Sequence, residues 1–111
     1  MKVLFIILNK AERLEDLLAL LLEHGVKGAT ILDSQGMGSS IVHSGNTDIP
    51  MFGSLKTLLK GSHPDNKTIF TVIHNEEKLQ RVVAAIQELL KEEKKPDDGF
   101  MFTVPVGDIF Y

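Results

Sequence analysis

The strongest constraint on the fold is a module that occurs twice in the chain: an apolar run, an asparagine close behind it, and then a stretch with helical spacing. In the first copy Val3 to Leu8 precede Asn9, and in the second Thr68 to Ile73 precede Asn75. Unbroken runs rich in branched and aromatic residues are typical of strands in the middle of a sheet. Each copy therefore predicts a central strand followed by a helix.

The first helix is predicted to begin at Asn9 and to end at Gly25. Asparagine caps helix N-termini, and Glu12 follows three residues later, as in a capping box. Glycine is common just beyond a helix C-terminus. Between these residues, leucines recur at a spacing that places them on one helical face: Leu14, Leu17, Leu18 and Leu21.

The second helix is predicted to begin at Asn75 and to continue to the two lysines before Pro96. Glu76 and Glu77 suit its first turn because acidic side chains interact favourably with the positive end of the helix dipole. Its apolar face is predicted to consist of Leu79, Val82, Val83, Ile86, Leu89 and Leu90.

Two further strands complete the predicted fold, one within Gly28 to Gly38 and one from Phe100 to Val106. The resulting order is that of an α+β, ferredoxin-like βαββαβ domain with an antiparallel four-stranded sheet. Strands one and three are central in this topology, and two and four are edges. Pro105 agrees, because proline removes a ladder donor and is tolerated at an edge. Open edges favour pairing with other chains, so we expect an oligomer.

A long insert, about residues 39–66, separates strands two and three. Ser54 is predicted to cap a short helix that runs through Leu55, Leu58 and Leu59 to Gly61. Long inserts in compact domains are often functional. The length of 111 residues fits one domain, residues 1–111.

Composition excludes several classes of function. The net charge of −3 argues against a nucleic-acid-binding protein, which normally carries a basic face. The absence of cysteine excludes disulfides and thiolate metal sites. The apolar run before Asn9 is too short for a signal peptide or an integral membrane segment. We therefore expect a cytoplasmic protein.

The candidate ligand contacts lie around a Gly-x-Gly turn. Backbone N–H groups from Gly36 to Ser39 can form an anion-binding nest, with Ser40 and Lys95 as further donors if the two halves pack together. A simple bend or bulge explains the same glycines. Asp98 and Gly99 are likewise a preferred turn pair, and lysines suit a helix C-terminus.

Histidine and serine do not indicate a metal centre or catalysis. The four histidines, His24, His43, His63 and His74, have no spacing that would place two on one helical face. Serines near His43 lack a third group to orient a base. The sequence predicts neither a metal site nor an enzyme.

Taken together, the order of elements and the segments GATILDSQGMG and KPDDGFMF resemble the PII signalling proteins and their PII-like relatives, from Lys2 to about Val106. The family pattern Lys-Gly-Phe-Gly-Arg-Gln is matched here by residues 35–40, after a glycine and a threonine. Its second pattern, Thr-Gly-Lys-Ile-Gly-Asp-Gly-Lys-Ile-Phe, is matched by residues 93–102. The ligand-binding residues that the resemblance implies are Gly28, Thr30, Gln35, Gly36, Met37, Gly38, Ser39, Lys95, Asp98 and Gly99.

The resemblance implies a homotrimer with a long loop, which binds a small-molecule effector such as AMP, ADP or ATP between subunits and signals through the loop to a target protein. Ser39 and Phe100 occupy positions where the family has phosphate-binding cations, each contact contributing about 1.5–3 kcal/mol. A mononucleotide or another less charged ligand therefore fits better than a polyphosphate. Tyr111 is the only tyrosine, so tyrosine modification within the insert is excluded.

Two other classes share the order of elements. A metal-binding trimer of the CutA type is suggested by the fold and the loop histidines. An amino-acid-binding ACT-type regulatory domain has the same βαββαβ order.

Overall fold

The computed structural model describes residues 1–37, 66–91 and 99–111. Its element order agrees with the prediction, with a short 3-10 turn added before the first helix. The elements are β1 (Lys2–Leu8), the 3-10 turn (Ala11–Arg13), α1 (Leu14–Glu23), β2 (Thr30–Ser34), β3 (Asn66–Ile73), α2 (Glu76–Leu89) and β4 (Gly99–Pro105). The predicted helix of the insert lies outside the described residues.

The four strands form one sheet in the order β2-β3-β1-β4, with antiparallel pairing throughout. β1 is paired along its whole length on both sides: Leu8 lies opposite Lys67 of β3 and opposite Gly99 of β4. The predicted ferredoxin-like topology is confirmed, including the two central strands. Pro105 is the last residue of an edge strand, where its missing N–H costs no ladder bond on the open side.

Alternate residues of β1 form the centre of the core. Leu4, Ile6 and Leu8 are buried on the face where both helices pack. Burial of such side chains removes apolar surface from water, the main favourable term in folding. The buried cluster consists of Leu4, Ile6, Leu8, Leu17, Leu21, Val26, Ile69, Ile73, Leu79, Val82 and Ile86.

The opposite face of the sheet, which we call the open face, is also apolar. Phe5 projects there from β1, and cross-strand pairing places Phe70 and Phe102 beside it. In the part of the chain that the structure describes, this face stays largely exposed, with Phe102 at 43%. It carries no ionisable side chain among its described members: Val3, Phe5, Ile7, Thr30, Leu32, Thr68, Phe70, Val72, Phe100, Phe102 and Val104.

The predicted N-cap at Asn9 is wrong, whereas the predicted end of α1 at Gly25 is confirmed. The 3-10 turn occupies Ala11–Arg13, so α1 begins only at Leu14. The N-cap residues are Lys10 for the turn and Arg13 for α1, and neither of these side chains forms a capping hydrogen bond. At the other end the Val26 N–H donates to the Leu21 carbonyl at 2.8 Å, and Gly25 adopts φ +78°. This is a Schellman ending, which favours glycine because the left-handed backbone penalises a Cβ.

The predicted start of α2 is confirmed, and its predicted end is wrong. The Asn75 side chain accepts a hydrogen bond from the Lys78 backbone N–H at 3.1 Å. The helix ends at Leu89, because Leu90 turns out of helical geometry with ψ 8°. Leu89 and Leu90 still pack against the core, whereas Lys91, the next residue, is exposed.

Glu76, the first residue of α2, links that helix to β1. Hydrogen bonds from the Gln80 side chain and from Lys2, at 3.1 and 3.3 Å, lower the pKa of the Glu76 carboxyl. Because this pKa is lower in the folded chain, the carboxylate stabilises the fold above the unfolded-state pKa. That contribution is lost as the pH falls through the folded-state value.

Replacing Gly99 by alanine is expected to destabilise the sheet strongly. A Cβ at this position would lie 2.1 Å from the Ile7 carbonyl oxygen, and the backbone φ is +137°. We expect Gly99→Ala to lower the free energy of unfolding by about 3 kcal/mol in urea denaturation. Gly107→Ala is the matched control, since a Cβ there meets nothing within 4 Å. Equal stability of the two variants would contradict the close approach of β4 to β1.

Candidate functional site

The base of the insert is formed by the end of β2 and the start of β3. Ser34 lies opposite Asn66, and Asp33 lies opposite Lys67, so the chain leaves and re-enters the sheet at one point on its edge. A cleft of about 650 Å³ opens here. This size is within the range of small-molecule sites. The described residues lining it are Asp33, Ser34, Gln35, Asn66 and Lys67.

Polar side chains hold the base of the insert together. The Ser34 hydroxyl lies 3.3 Å from the Asn66 carbonyl oxygen and 2.8 Å from the Thr68 hydroxyl, and it also contacts the Asn66 side-chain oxygen. Beside this cluster, Lys67 forms an ion pair with Asp33. The carboxylate offsets the lysine charge, so the described lining combines neutral hydrogen-bonding groups with a balanced charge pair.

Three of the predicted ligand residues lie at this base. Gln35 lines the cleft, and Met37 is 78% exposed. A Cβ on Gly36 would meet only the Asn66 amide nitrogen, at 3.7 Å, and Gly36 has no positive φ. Neither backbone geometry nor packing of the described residues therefore requires glycine at position 36. Two further predicted residues, Gly38 and Ser39, lie outside the described residues.

Gly28 and Thr30 lie at a different part of the sheet. The Thr71 hydroxyl donates to the Gly28 carbonyl at 2.5 Å, and the Lys78 ammonium donates to the Gly25 carbonyl at 2.7 Å. These contacts border a second cleft of about 310 Å³ at the end of β3 remote from the insert. Thr30 pairs with Phe70. The structure thus separates the predicted ligand residues that flank or lie in β2 into two groups, one at each end of the strand.

Gly99 lies at the same end of the sheet as the insert base but on the opposite edge. It pairs with Leu8, whose other neighbour is Lys67, which in turn pairs with Asp33. Three inter-strand spacings separate Gly99 from Asp33, a distance of about 14 Å. The need for glycine at position 99 has a packing cause, because an added Cβ would clash with the Ile7 carbonyl oxygen. Lys95 and Asp98 lie outside the described residues.

Sequence reasoning missed Thr71 and the polar cluster at the insert base. Thr71 is buried at 5% exposure, on the same face as Ile69 and Ile73. A hydroxyl at an inward position of an apolar strand needs a hydrogen-bond partner. The alternation of inward and outward residues along the strand places Thr71 inward, and this alternation is the signal from which the sequence could have identified it. No such signal marked Ser34 and Asn66, because their meeting depends on the strand register.

Residues 1–37, 66–91 and 99–111 contain neither a candidate metal cluster nor a candidate membrane-spanning helix. No group of three histidine, aspartate or glutamate side chains there is placed to hold a metal ion. Among the helices of those ranges, none is long and apolar enough to cross a membrane.

Fold and site together define a small ferredoxin-like domain with an insert that emerges beside an edge cleft. The family model for nitrogen regulatory protein P-II matches residues 1–111, so the chain belongs to this family of regulatory proteins. Among solved structures, it resembles Arabidopsis thaliana PII bound to citrate, with a TM-score of 0.67 and 19% sequence identity. That match covers 99% of this chain and 80% of the plant protein. No curated protein matches by sequence.

The Thr71 hydrogen bond is expected to fix the start of β2. Thr71→Val keeps the shape of the side chain but leaves the Gly28 carbonyl without this donor, so we expect a loss of about 1–2 kcal/mol in the free energy of unfolding. Hydrogen exchange should also accelerate at the amides of β2. Thr103→Val, at an exposed position of β4, is the control. If both variants unfold at the same urea concentration, the bond contributes nothing.

Proposed function

We propose that this protein is a PII-like regulator of the cytoplasm, a single domain over residues 1–111. It binds a small effector, an adenine nucleotide, in clefts between the subunits of a homotrimer. Effector binding changes the order of the insert, about residues 39–66, and a partner protein reads that change. Ligand-coupled ordering of a segment is a common switching mechanism. Membership in the P-II family supports a regulatory function and favours it over the CutA-type, ACT-type and enzymatic alternatives.

The observation that carries this proposal is the placement of the two sequence motifs in the sheet. The insert base, with Gln35 and Gly36, and the start of β4, with Gly99, lie at one end of the sheet on opposite edges. A ligand the size of a mononucleotide cannot easily contact both through the intervening strands. Two neighbouring copies, each presenting one edge, would bring both motifs to a single cleft.

Gly36 adds support of a different kind. Gly25 and Gly99 are explained by positive φ angles, whereas Gly36 has no positive φ and, among the described residues, no close neighbour. Glycine carries an entropic cost relative to alanine, so a glycine without a structural cause suggests close approach of another group to the backbone. A bound effector at the mouth of the cleft would be such a group.

The open face supports self-association. A surface that meets copies of itself must not place like charges together, and none of the described residues on this face is ionisable. Aromatic residues are enriched in interfaces, and three phenylalanines lie in its centre: Phe5, Phe70 and Phe102. Its exposed members away from the insert end, such as Phe102 at 43% and Val104 at 41%, would be removed from water in a closed oligomer.

Calorimetric titration tests effector binding. We expect AMP, ADP, ATP or a cyclic nucleotide to bind the wild-type protein, with citrate included because the similar plant structure holds it. Gly36→Ala should weaken binding by about tenfold, since the added methyl group would occupy space used by the ligand. Gly107→Ala is the control for a glycine outside the site. Absence of heat for every nucleotide at millimolar concentration would end the nucleotide proposal.

Light scattering tests the trimer and its interface. We expect the wild-type protein to have the mass of three chains. Phe102→Lys should lower that mass, because it buries an ammonium group in an apolar interface. Leu22→Lys is the matched control: Leu22 is 65% exposed on α1, away from the open face, and the variant should retain the wild-type mass. An unchanged mass for Phe102→Lys would exclude the open face as the interface.

A further inference from the structure

Four phenylalanine rings form a row across three strands of the open face. Phe5, on the central strand β1, lies 5.5 Å from Phe70 and 5.0 Å from Phe102, measured between ring centroids. Phe102 in turn lies 6.0 Å from Phe100, and both of its ring pairs are stacked. Such spacings are those of favourable aromatic pairs. The row therefore holds its rings in defined orientations.

Exposure increases towards one end of the row. Phe5 and Phe70 are half-buried, Phe102 is 43% exposed, and Phe100 is 61% exposed. Phe100 follows Gly99 directly and pairs with Ile7, so its ring lies at the end of the sheet where the insert emerges. Phe100, the last ring of the row, is thus the most accessible of the four. It lies beside the β4 end of the proposed effector cleft.

A ring fixed in this way is suited to stacking. Phe100 is held by β-sheet backbone and by contact with Phe102, so little side-chain freedom remains to be lost when another ring packs on it. A phenyl ring offers no hydrogen bond and no charge, and it therefore interacts with the planar base of an effector rather than with a phosphate. Planar bases stack on aromatic side chains in many proteins.

We propose that Phe100 is a specificity-determining residue that stacks on the heteroaromatic base of the effector. This inference rests on the proposed function, since it assigns one contact within the proposed cleft. A stacking contact contributes equally to every ligand that carries the base. Removing the ring should therefore weaken adenosine, AMP and ATP by the same factor, whatever the number of phosphates.

The test compares these three ligands on purified full-length protein. Phe100→Leu should weaken each of them by about 5–150-fold in calorimetry, the range expected for one base–aromatic stack. Phe100→Tyr keeps the ring and should bind within about twofold of wild type. Phe110→Leu is the matched control, since Phe110 is 88% exposed and belongs to none of the described ring pairs.

The outcomes separate this inference from the proposed function. If wild-type protein binds no base-containing ligand, the nucleotide function fails and the stacking assignment fails with it. If wild type binds but Phe100→Leu does not weaken binding, or weakens ATP alone, only the stacking assignment is overturned. A lowered mass of Phe100→Leu in light scattering would make Phe100 an assembly residue and would also overturn it, as would equal losses in the Leu and Tyr variants.

Discussion

Both faces of β1 are apolar, and this property determines most of the molecule. The Leu4, Ile6 and Leu8 face is covered by two helices, which supplies the core. The Phe5 face has no such cover in the described chain, so its apolar surface stays in contact with water unless another subunit removes it. The same strand thus stabilises the domain on one side and leaves an exposed apolar surface, the one proposed for association, on the other. Its position between β3 and β4 also sets the distance between the two sequence motifs.

The glycines show how one residue type can serve unrelated purposes. Gly25 ends α1 because its backbone is left-handed, and Gly99 permits β4 to approach the Ile7 carbonyl. Gly36 has no comparable cause among the described residues. The sequence predicts a helix end at Gly25, whereas it assigns Gly36 and Gly99 alike to family motifs and to ligand contact. Geometry distinguishes the glycine that the fold requires from the glycine that remains available to a ligand.

The electrostatics of the insert base favour ligands of low charge. Lys67 is paired with Asp33, and the neighbouring groups of Ser34, Asn66 and Thr68 are neutral hydroxyls, amides and carbonyls. Such groups orient a polar ligand but supply little of the charge-assisted bonding that a polyphosphate needs. Together with the neutral ring of Phe100, they agree with the proposal that the effector is bound through its base and sugar rather than through its phosphates. Family membership fixes the regulatory class.

The sequence by itself determined the order of elements, the central strands, the Asn75 cap and the Gly25 stop, because each depends on local periodicity or on one residue's backbone preference. It misplaced the start of α1, which is delayed by a 3-10 turn, and the end of α2, which depends on how far the helix packs against the core. It also identified the two motifs but did not give the distance between them. Only the tertiary structure decided that Ser34 meets Asn66, that Thr71 holds Gly28, and that Gly36 and Gly99 lie on opposite edges. Strand register and sheet order create those relations, and both arise from contacts between residues remote in the chain.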